Sequence, residues 1–393
     1  MGHTTSNISD RKVEKILAAA QDLGFVRAGI VSADRNPRAH EAWKQWVDEG
    51  FHGNMDYMAR YDRRDEPRQV LEQVKSIIVV ALPYPRRNDL CDVPTDEAEG
   101  YVARYARGKD YHGVFKERLW ELAQRCSNIL GRDIIARPCV DTAPLLEREL
   151  AAKSGFGFIG KSSMFIIPGQ GTNVLLGELL TDIELPYYEV SDGASGCGSC
   201  TKCLDDCPTN AFVGPYVLDA RRCVSYLTIE HKDEIPRDLR AKMGEMIFGC
   251  DICQDVCPFN RSPQEKVYEP LFAAKAHLKS VDLPSLLNIG SAQYRKFVAD
   301  TALRRASRAQ LARNVAVALG NKRSERGLEA LIEASNHLYP LVRGHVAWAL
   351  GQYLDPRALA TLEVMVDDDD LYVIDEARAA LAGLMALMGQ NNG

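Results

Sequence analysis

Closely spaced cysteines are the feature that most constrains this 393-residue chain, because eight of its eleven lie between Cys197 and Cys257. The first run reads Cys197-x2-Cys200-x2-Cys203-x3-Cys207-Pro208. In two-cluster bacterial ferredoxins, the first three cysteines of such a run hold one four-iron cluster and the fourth ligates the other. The run therefore predicts iron–sulfur ligation with a crossover.

A second run completes this pattern. It reads Cys250-x2-Cys253-x3-Cys257-Pro258, and Cys223 lies well upstream of it. Crossed ligation predicts cluster one on Cys197, Cys200, Cys203 and Cys257, and cluster two on Cys207, Cys223, Cys250 and Cys253. Pairs of C-x2-C can also bind zinc, but zinc does not require successive x2 spacings followed by x3-Cys-Pro. We therefore expect two [4Fe-4S] clusters.

The remaining cysteines and the termini indicate the compartment. Cys91, Cys126 and Cys139 are isolated and are predicted to be buried small apolar residues. An odd, clustered set of cysteines favours metal binding in a reducing compartment over a disulfide framework. The first twelve residues are polar, and the longest apolar stretch, 77–83, is far below the ~20 residues of a membrane helix. We expect a cytoplasmic protein without a membrane partner.

Hydrophobic periodicity predicts an α+β fold in three domains, 1–190, 191–268 and 269–393. In the first, helices are expected at 11–23, 113–130 and 143–154, and strands at 76–82, 134–140, 163–168 and 174–180. The second holds the cysteine runs and is expected to be ordered by its metal.

The third domain repeats itself with a period of 31 residues. Leu319, Leu350 and Leu381 coincide in three aligned segments, and the intervening helices match as well. Two-helix units of this length predict a short HEAT-like array, whose stacked face binds partners. An ordinary helical bundle with chance similarity is the alternative.

Two features of the first domain suggest ligands. Residues 155–162 fit the phosphate-loop pattern G-x4-G-K-S, which requires a strand before it and a helix after it. Here a helix is predicted before it and a strand after it, so we expect no triphosphate site, although the loop could line another large cofactor. Asp141 ends a predicted strand just before a helix, where it could cap the helix or face a ligand.

In combination, the chain resembles the epoxyqueuosine reductases over its whole length. The segments that carry the resemblance are 104–112, 140–148, 157–161, the two cysteine runs and 312–320. The resemblance implies a cobalamin-binding first domain, related in fold to reductive dehalogenases and nitroreductases. It also implies removal of the epoxide oxygen from epoxyqueuosine at the wobble position of tRNA, with the clusters passing electrons singly to cobalt. Whether cobalt attacks the epoxide or only transfers electrons stays open.

The resemblance also implies roles for individual residues. Asp141 maps onto the proton donor, and cobalamin contacts are expected from Arg60, Tyr105, Asp141, Lys161 and Ser225. An unidentified low-potential electron donor and a monomeric state are expected. Two alternatives are a cobalamin-dependent reductive dehalogenase acting on a small molecule and a non-catalytic electron-transfer protein with a scaffold tail.

An acidic chain of net charge −6 needs a local basic surface to hold tRNA. Nine basic residues lie in 291–326: Arg295, Lys296, Arg304, Arg305, Arg308, Arg313, Lys322, Arg323 and Arg326. On one helix, Arg304, Arg305 and Arg308 would share a face, because residues three and four apart are neighbours. We expect these three to contact tRNA; a solvated helix face is the alternative.

Overall fold

The computed structural model describes residues 8–60, 65–86, 97–187, 196–261 and 268–390. In these residues the α-helices are α1 (Asp10–Asp22), α2 (Pro37–Asp48), α3 (Pro67–Val70), α4 (Tyr111–Leu130), α5 (Glu147–Lys153), α6 (Lys202–Asp205), α7 (Val224–Ile229), α8 (Arg237–Arg240), α9 (Ile252–Asp255), α10 (Ala276–Lys279), α11 (Leu283–Leu287), α12 (Ser291–Phe297), α13 (Arg308–Lys322), α14 (Glu325–Glu333), α15 (Pro340–Leu350), α16 (Pro356–Met365) and α17 (Leu371–Gln390). The strands are β1 (Arg27–Ser32), β2 (Ser76–Pro83), β3 (Glu99–Val102), β4 (Ala136–Cys139), β5 (Phe158–Ile159), β6 (Phe165–Ile166), β7 (Val174–Thr181), β8 (Phe212–Gly214), β9 (Val217–Leu218), β10 (Met246–Phe248) and β11 (Val281–Asp282).

The chain forms two compact units. The first comprises 1–90, 108–220 and 252–273, and the second comprises 91–107, 221–251 and 274–393. The predicted three-domain division stays a prediction; the cysteine-rich segment is shared between the two units. Its elements are too short to enclose a core of their own, so they pack onto larger neighbours. In the first unit, for example, Trp46 Nε1 donates a hydrogen bond of 2.6 Å to the Leu218 carbonyl.

A four-stranded sheet in the order β1-β2-β7-β4 forms the centre of the first unit, and every pairing in it is antiparallel. Every residue of β2 is buried, because α5 packs on one face of the sheet and α1 and α4 lie against the other strands. Ile77, Val79 and Ala81 share a core with Leu150 of α5. An antiparallel sheet with helices and a separate helical array confirms the α+β class.

The predicted strands at 76–82 and 174–180 and the predicted helices at 11–23 and 113–130 are confirmed by β2, β7, α1 and α4. The predicted helix at 143–154 begins later, at Glu147. Before it the chain makes two tight turns, in which the Thr142 and Leu145 amides donate to the carbonyls of Val140 and Ala143. These turns divert the backbone from helical geometry, and they shape the segment that carries Asp141.

Stacked helices dominate the second unit, and the 31-residue period is visible in their contacts. A Cβ on Gly320 would lie 2.9 Å from Ala349, and a Cβ on Gly351 would lie 2.8 Å from Ala380. Each glycine thus lets one helix approach the next closely, and the contact recurs one repeat later. The unit also contains a small sheet in the order β10-β3-β11. Across the described ranges, no helix is long and apolar enough to cross a membrane.

Candidate active site and cluster cysteines

A cavity of about 2020 Å³ opens in the first unit, lined by α2, α5, the β5–β6 hairpin and the start of β7. It exceeds the ~300–1,000 Å³ typical of a small-molecule pocket. Trp43, Trp46, Phe156 and Phe158 give it aromatic walls, and Asp141 lies on its edge. The cavity therefore has room for a group much larger than an ordinary substrate.

Asp141 is held in an unusual conformation. Its φ of 53° lies in the left-handed region, which non-glycine residues rarely adopt and which active sites often retain. Its side chain is 51% exposed, and Oδ2 accepts a hydrogen bond of 3.1 Å from the Tyr111 hydroxyl. Helix α5 begins after Leu146, so Asp141 is not its N-cap residue, and the capping interpretation is wrong.

His112 provides positive charge beside this carboxylate. Its Nδ1 lies 2.7 Å from Oδ1 of Asp110, the N-cap residue of α4, and its Nε2 lies 3.4 Å from Oδ2 of Asp141. Hydrogen bonds to Asp110 and then to Asp141 raise the pKa of His112 to about 9, although burial opposes the shift. The imidazole ring stacks on Tyr111 with centroids 4.1 Å apart. His112 is therefore an imidazolium near neutral pH.

Sequence reasoning did not single out Tyr111 and His112, although both lie in the 104–112 segment. The signal was available, since an Asp-Tyr-His sequence at the start of a predicted helix places an N-cap carboxylate beside two proton-bearing rings. The sequence alone could not show that the start of α4 lies next to the end of β4.

Glu147 and Glu178 were also missed. Glu147 accepts a hydrogen bond from the Asp141 amide through Oε1. Glu178 is fully buried on β7, and the two carboxyl groups are hydrogen-bonded to each other. Burial raises the pKa of Glu147 to about 7 and raises that of Glu178 well above its ordinary value. A single glutamate in the apolar run of β7 was the available signal.

The glycine-rich loop is the turn of the antiparallel β5–β6 hairpin, where Phe158 pairs with Ile166. No helix follows it, so the phosphate-loop pattern is coincidental, as predicted. Lys161 Nζ donates hydrogen bonds of 2.7 Å and 3.0 Å to the carbonyls of Gly198 and Cys200. Lys161 therefore supports the first cysteine run, and it is absent from the described residues that line the cavity.

The first unit gathers the four cysteines predicted for cluster one. The pKa of the Cys203 thiol is raised mainly by burial and further by its neighbours Cys257, Cys197 and Cys200. The same neighbours, Cys197 and Cys200, contribute to the raised pKa of Cys257, for which burial is the main cause. Cys257 thus lies beside the first cysteine run.

The four cysteines predicted for cluster two are distributed over both units. Cys207 and Cys253 belong to the first unit, and the Cys207 sulfur accepts a hydrogen bond of 3.3 Å from the Ala211 amide. Cys223 is the N-cap residue of α7 and Cys250 follows β10, both in the second unit. Their assignment to one cluster stays a prediction.

Cys126 and Cys139 are buried as expected, and Cys91 lies outside the described residues. Arg60 is exposed after a short 3-10 helix and does not line the cavity within the described ranges. In the second unit, Tyr105 packs against Phe248 with ring centroids 6.4 Å apart, and Ser225 lies in α7. Cobalamin contacts from Arg60, Tyr105, Lys161 and Ser225 stay predictions.

Arg304, Arg305 and Arg308 do not share one helix, so that expectation is wrong. The first two end a 3-10 helix, whereas Arg308 begins α13 after the N-cap residue Ser307. Ser307 forms a capping box with Gln310, which fixes the helix start there. Arg305 pairs with Glu230 at 2.7 Å, and Arg308 Nη2 donates to the Tyr339 hydroxyl at 3.1 Å.

The predicted basic cluster also includes a residue of the core. Arg313 is fully buried, and it donates hydrogen bonds to the carbonyls of Leu227, His231 and Asp233. Six of the nine basic residues are exposed, namely Arg295, Lys296, Arg304, Arg305, Arg323 and Arg326. Two of the six form ion pairs, Arg305 with Glu230 and Arg326 with Asp282. These six define the basic surface.

Comparison with protein families accounts for the cysteine runs and the tail. The family model "4Fe-4S double cluster binding domain" matches residues 196–260, and "HEAT repeats" matches 301–382. The chain therefore carries two four-iron clusters and not zinc, and its tail is a HEAT array. Together with the large cavity and the proton-bearing groups on its edge, these features define an iron–sulfur oxidoreductase.

The particular family follows from closer relatives. The model "Epoxyqueuosine reductase QueG, DUF1730" matches residues 64–142. Epoxyqueuosine reductase of Xanthomonas campestris pv. campestris is 39% identical over 344 residues, which cover 86% of this chain and 95% of the relative. The chain belongs to the epoxyqueuosine reductase family. The predicted resemblance is confirmed, and the electron-transfer and dehalogenase alternatives are not supported.

Two solved structures are similar over nearly the whole chain. An epoxyqueuosine reductase crystallised with an epoxyqueuosine-modified tRNA-Tyr stem loop has a TM-score of 0.86 at 29% identity and covers 95% of this chain and 99% of its own. The Bacillus subtilis enzyme, solved with its catalytic aspartate loop swung out of the active site, has a TM-score of 0.85 at 28% identity with the same coverage.

Proposed function

We propose that this chain reduces epoxyqueuosine to queuosine in tRNA. The observation that carries the proposal is its full-length likeness to a reductase solved with an epoxyqueuosine-modified stem loop. Removal of the epoxide oxygen as water breaks two C–O bonds, forms a C=C bond, and consumes two electrons and two protons. The enzyme must therefore deliver electrons singly from its clusters and supply at least one proton at the epoxide oxygen.

The cavity of the first unit fits a cobalamin cofactor. Its volume of about 2020 Å³ and its walls of Trp43, Trp46 and Phe158 suit a large, mostly apolar macrocycle. When bound, cobalamin supplies a reducible cobalt at which the electrons from the clusters reach the epoxide. The protein's task is to orient this group and to exclude water from it.

Asp141 is the proposed proton donor to the epoxide oxygen. Its exposed carboxyl lies on the edge of the cavity, and the Tyr111 hydroxyl fixes the orientation of Oδ2. The His112 imidazolium, with Nε2 3.4 Å from Oδ2, is positioned to protonate the Asp141 carboxylate before Asp141 delivers the proton, and its charge stabilises that carboxylate at other times. The two rings thus orient the acid and favour its proton transfer.

Substrate binding and electron supply complete the proposal. The basic surface of the second unit would contact tRNA phosphates, with Arg304 and Arg305 at its centre and Arg308 supporting the α13 end. An unidentified low-potential reductant would feed the clusters, and the enzyme would act as a monomer. Thiolate ligation and a tRNA substrate both support a cytoplasmic location.

The test uses the full chain with both clusters reconstituted anaerobically, cobalamin, a chemical reductant and an epoxyqueuosine-modified stem loop. Mass spectrometry of the digested RNA should show a nucleoside lighter by one oxygen. Asp141→Asn should keep cobalamin and both clusters but lose about 10²–10⁴ in rate, because an amide delivers no acid proton. Asp133→Asn, an exposed aspartate before β4, is the matched control and should be unaffected. Absence of the product from the loaded wild-type enzyme would contradict the proposal.

A further inference from the structure

The carboxyl pair beneath Asp141 has no role in the chemistry described so far. Glu178 is the only ionisable residue of β7, and it projects onto the same face as Val79, its partner on β2. On the other side it is opposite Cys139 of β4. Both neighbours are buried and belong to the apolar core under α5. A carboxyl group in such a position must be satisfied locally, since burying an unpaired charge is very costly.

The partner that satisfies Glu178 is Glu147. Within the described residues no N–H or O–H donor reaches either carboxyl oxygen of Glu178, so an ionised Glu178 would be buried without a hydrogen bond. The two carboxyl groups nevertheless lie within hydrogen-bonding reach of each other. Two carboxylates cannot hydrogen-bond, so one of the pair must carry a proton. Glu178 is the more deeply buried of the two and is the one that keeps it.

Glu147 connects this pair to the active site. Its Oε1 accepts the backbone N–H of Asp141, and that bond closes the turn on which Asp141 adopts its positive φ. A strained backbone conformation persists only where its surroundings hold it. In the Bacillus subtilis relative, the loop of the catalytic aspartate is seen swung out of the active site, so a loop of this kind has more than one position.

We propose that Glu178 and Glu147 form a proton-sharing pair that latches the Asp141 segment in its catalytic position. The protonated carboxyl of Glu178 donates a hydrogen bond to Glu147, and Glu147 in turn accepts a hydrogen bond from the Asp141 amide. Both are positioning residues, because neither touches the substrate. This inference rests on the proposed role of Asp141, although the latch itself can be measured without turnover.

The latch should open as pH rises, because loss of the shared proton leaves two adjacent negative charges that repel each other. Among the described residues, Asp141 and Arg148 act on Glu147, Asp141 also acts on Glu178, and Cys139 of β4 lies opposite Glu178. Arg137 and Lys116 act on Cys139, and His112 lies against Asp141. Strands β2, β5 and β6 contribute no ionisable side chain, and Arg27 of β1 is exposed. Arg148 is the positive group that acts on Glu147 directly, and it favours the ionised form of that residue.

The pair can be tested with four variants of the full chain. Glu178→Gln keeps the shape and supplies a permanent N–H donor, whereas Glu178→Leu removes the donor and Glu147→Ala removes the acceptor. Glu121→Gln is the control, because Glu121 is an exposed glutamate of α4 that pairs with Arg125 and does not line the cavity. Hydrogen exchange of the Asp141 amide, corrected for intrinsic pH dependence, and the infrared band of a protonated carboxyl are measured across the pH range.

In the wild type, protection of the Asp141 amide should fall above neutral pH and the protonated-carboxyl band should disappear with it. Glu178→Gln should lack that band yet keep the protection at every pH. Glu147→Ala should lose at least about 10-fold in protection, the effect of one hydrogen bond to a charged group. In the loaded enzyme, Glu178→Leu and Glu147→Ala should lower kcat at unchanged KM and iron content, and Glu178→Gln should keep kcat.

Two results would overturn the latch. One is an unchanged protonated-carboxyl band in Glu178→Gln, and the other is full protection of the Asp141 amide in folded Glu147→Ala. Both readouts are independent of the reaction. An enzyme that fails to reduce epoxyqueuosine but shows these signatures would therefore refute the proposed function and leave the latch standing.

Discussion

Glu376 of α17 accepts two hydrogen bonds from the guanidinium of Arg240, from Nη1 to Oε2 at 2.8 Å and from Nη2 to Oε1 at 2.7 Å. Both side chains are almost completely buried. The pair therefore joins the end of α8 to the last helix of the HEAT array within the second unit. Removing one partner of a buried pair leaves the other charge uncompensated, which costs more than the pair itself contributes.

Glu376→Gln should lower the free energy of unfolding by about 3–5 kcal/mol. Its neighbour offers a matched control, since Asp375 is 72% exposed and pairs with Arg237 at the surface. Asp375→Asn should cost about 0–1 kcal/mol. Urea unfolding followed by circular dichroism measures both. Equal midpoints for the two variants would show that the buried pair does not stabilise the array.

His112 gives a prediction on pH. Its folded pKa of about 9 lies above the ~6.5 of an unfolded histidine, so its ion pairs stabilise the fold fully below pH ~6.5. That contribution is lost as pH rises through about 9. His112→Gln should therefore flatten the decline in stability over this range, and Asp141→Asn should lower the His112 pKa seen by NMR. The exposed His277 is the control, and its replacement by Gln should leave the pH profile unchanged.

The sequence predicted those features that depend on residues close together in the chain. The cysteine spacings implied the clusters, and the recurrence of Leu319 and Leu350 implied the HEAT helices, because both signals are written within short segments. The strand containing Ile77 was equally clear, since a run of β-branched residues this apolar must be buried.

Contacts between distant segments were beyond that reasoning. No local sequence pattern shows that Tyr111 contacts Asp141 or that Glu178 contacts Glu147, because the packing of α4 and α5 against the sheet brings these distant positions together. The arginine cluster was misjudged for a related reason. Arg313 is basic in sequence but buried in the fold, where three backbone carbonyls accept its hydrogen bonds.

Crossed cluster ligation can be tested by substitution. Cys257→Ala should remove the cluster that Cys197 ligates, so the single variant and the Cys197→Ala/Cys257→Ala double variant should lose the same EPR signal. Cys250→Ala should remove the other signal. Iron should fall from about eight to about four per chain in each case. Cys126→Ala, at a buried cysteine outside the runs, should keep all the iron. Loss of the Cys250 signal in Cys257→Ala would contradict the crossover.

The basic surface should make tRNA binding depend on salt. Each phosphate neutralised contributes about −0.7 to −0.9 to the slope of log K against log salt, because bound cations are released. Arg304→Ala/Arg305→Ala should flatten the slope by about one such step and raise the Kd, because both side chains are exposed and Glu230 partly neutralises Arg305 through an ion pair of 2.7 Å. Adding Arg308→Ala should lower stability more than it alters the slope, because its guanidinium lies 5.2 Å from the centre of the Tyr339 ring.

Arg357→Ala is the matched control for this surface. It removes an exposed arginine from the same unit, but Glu325 and Asp355 already neutralise that side chain with ion pairs of 2.7 Å and 2.8 Å. Fluorescence anisotropy with a labelled stem loop, repeated at several salt concentrations, gives both the affinity and the slope. The control should match the wild type in both. If Arg304→Ala/Arg305→Ala also matched the wild type, tRNA phosphates would have to be bound by another part of the protein.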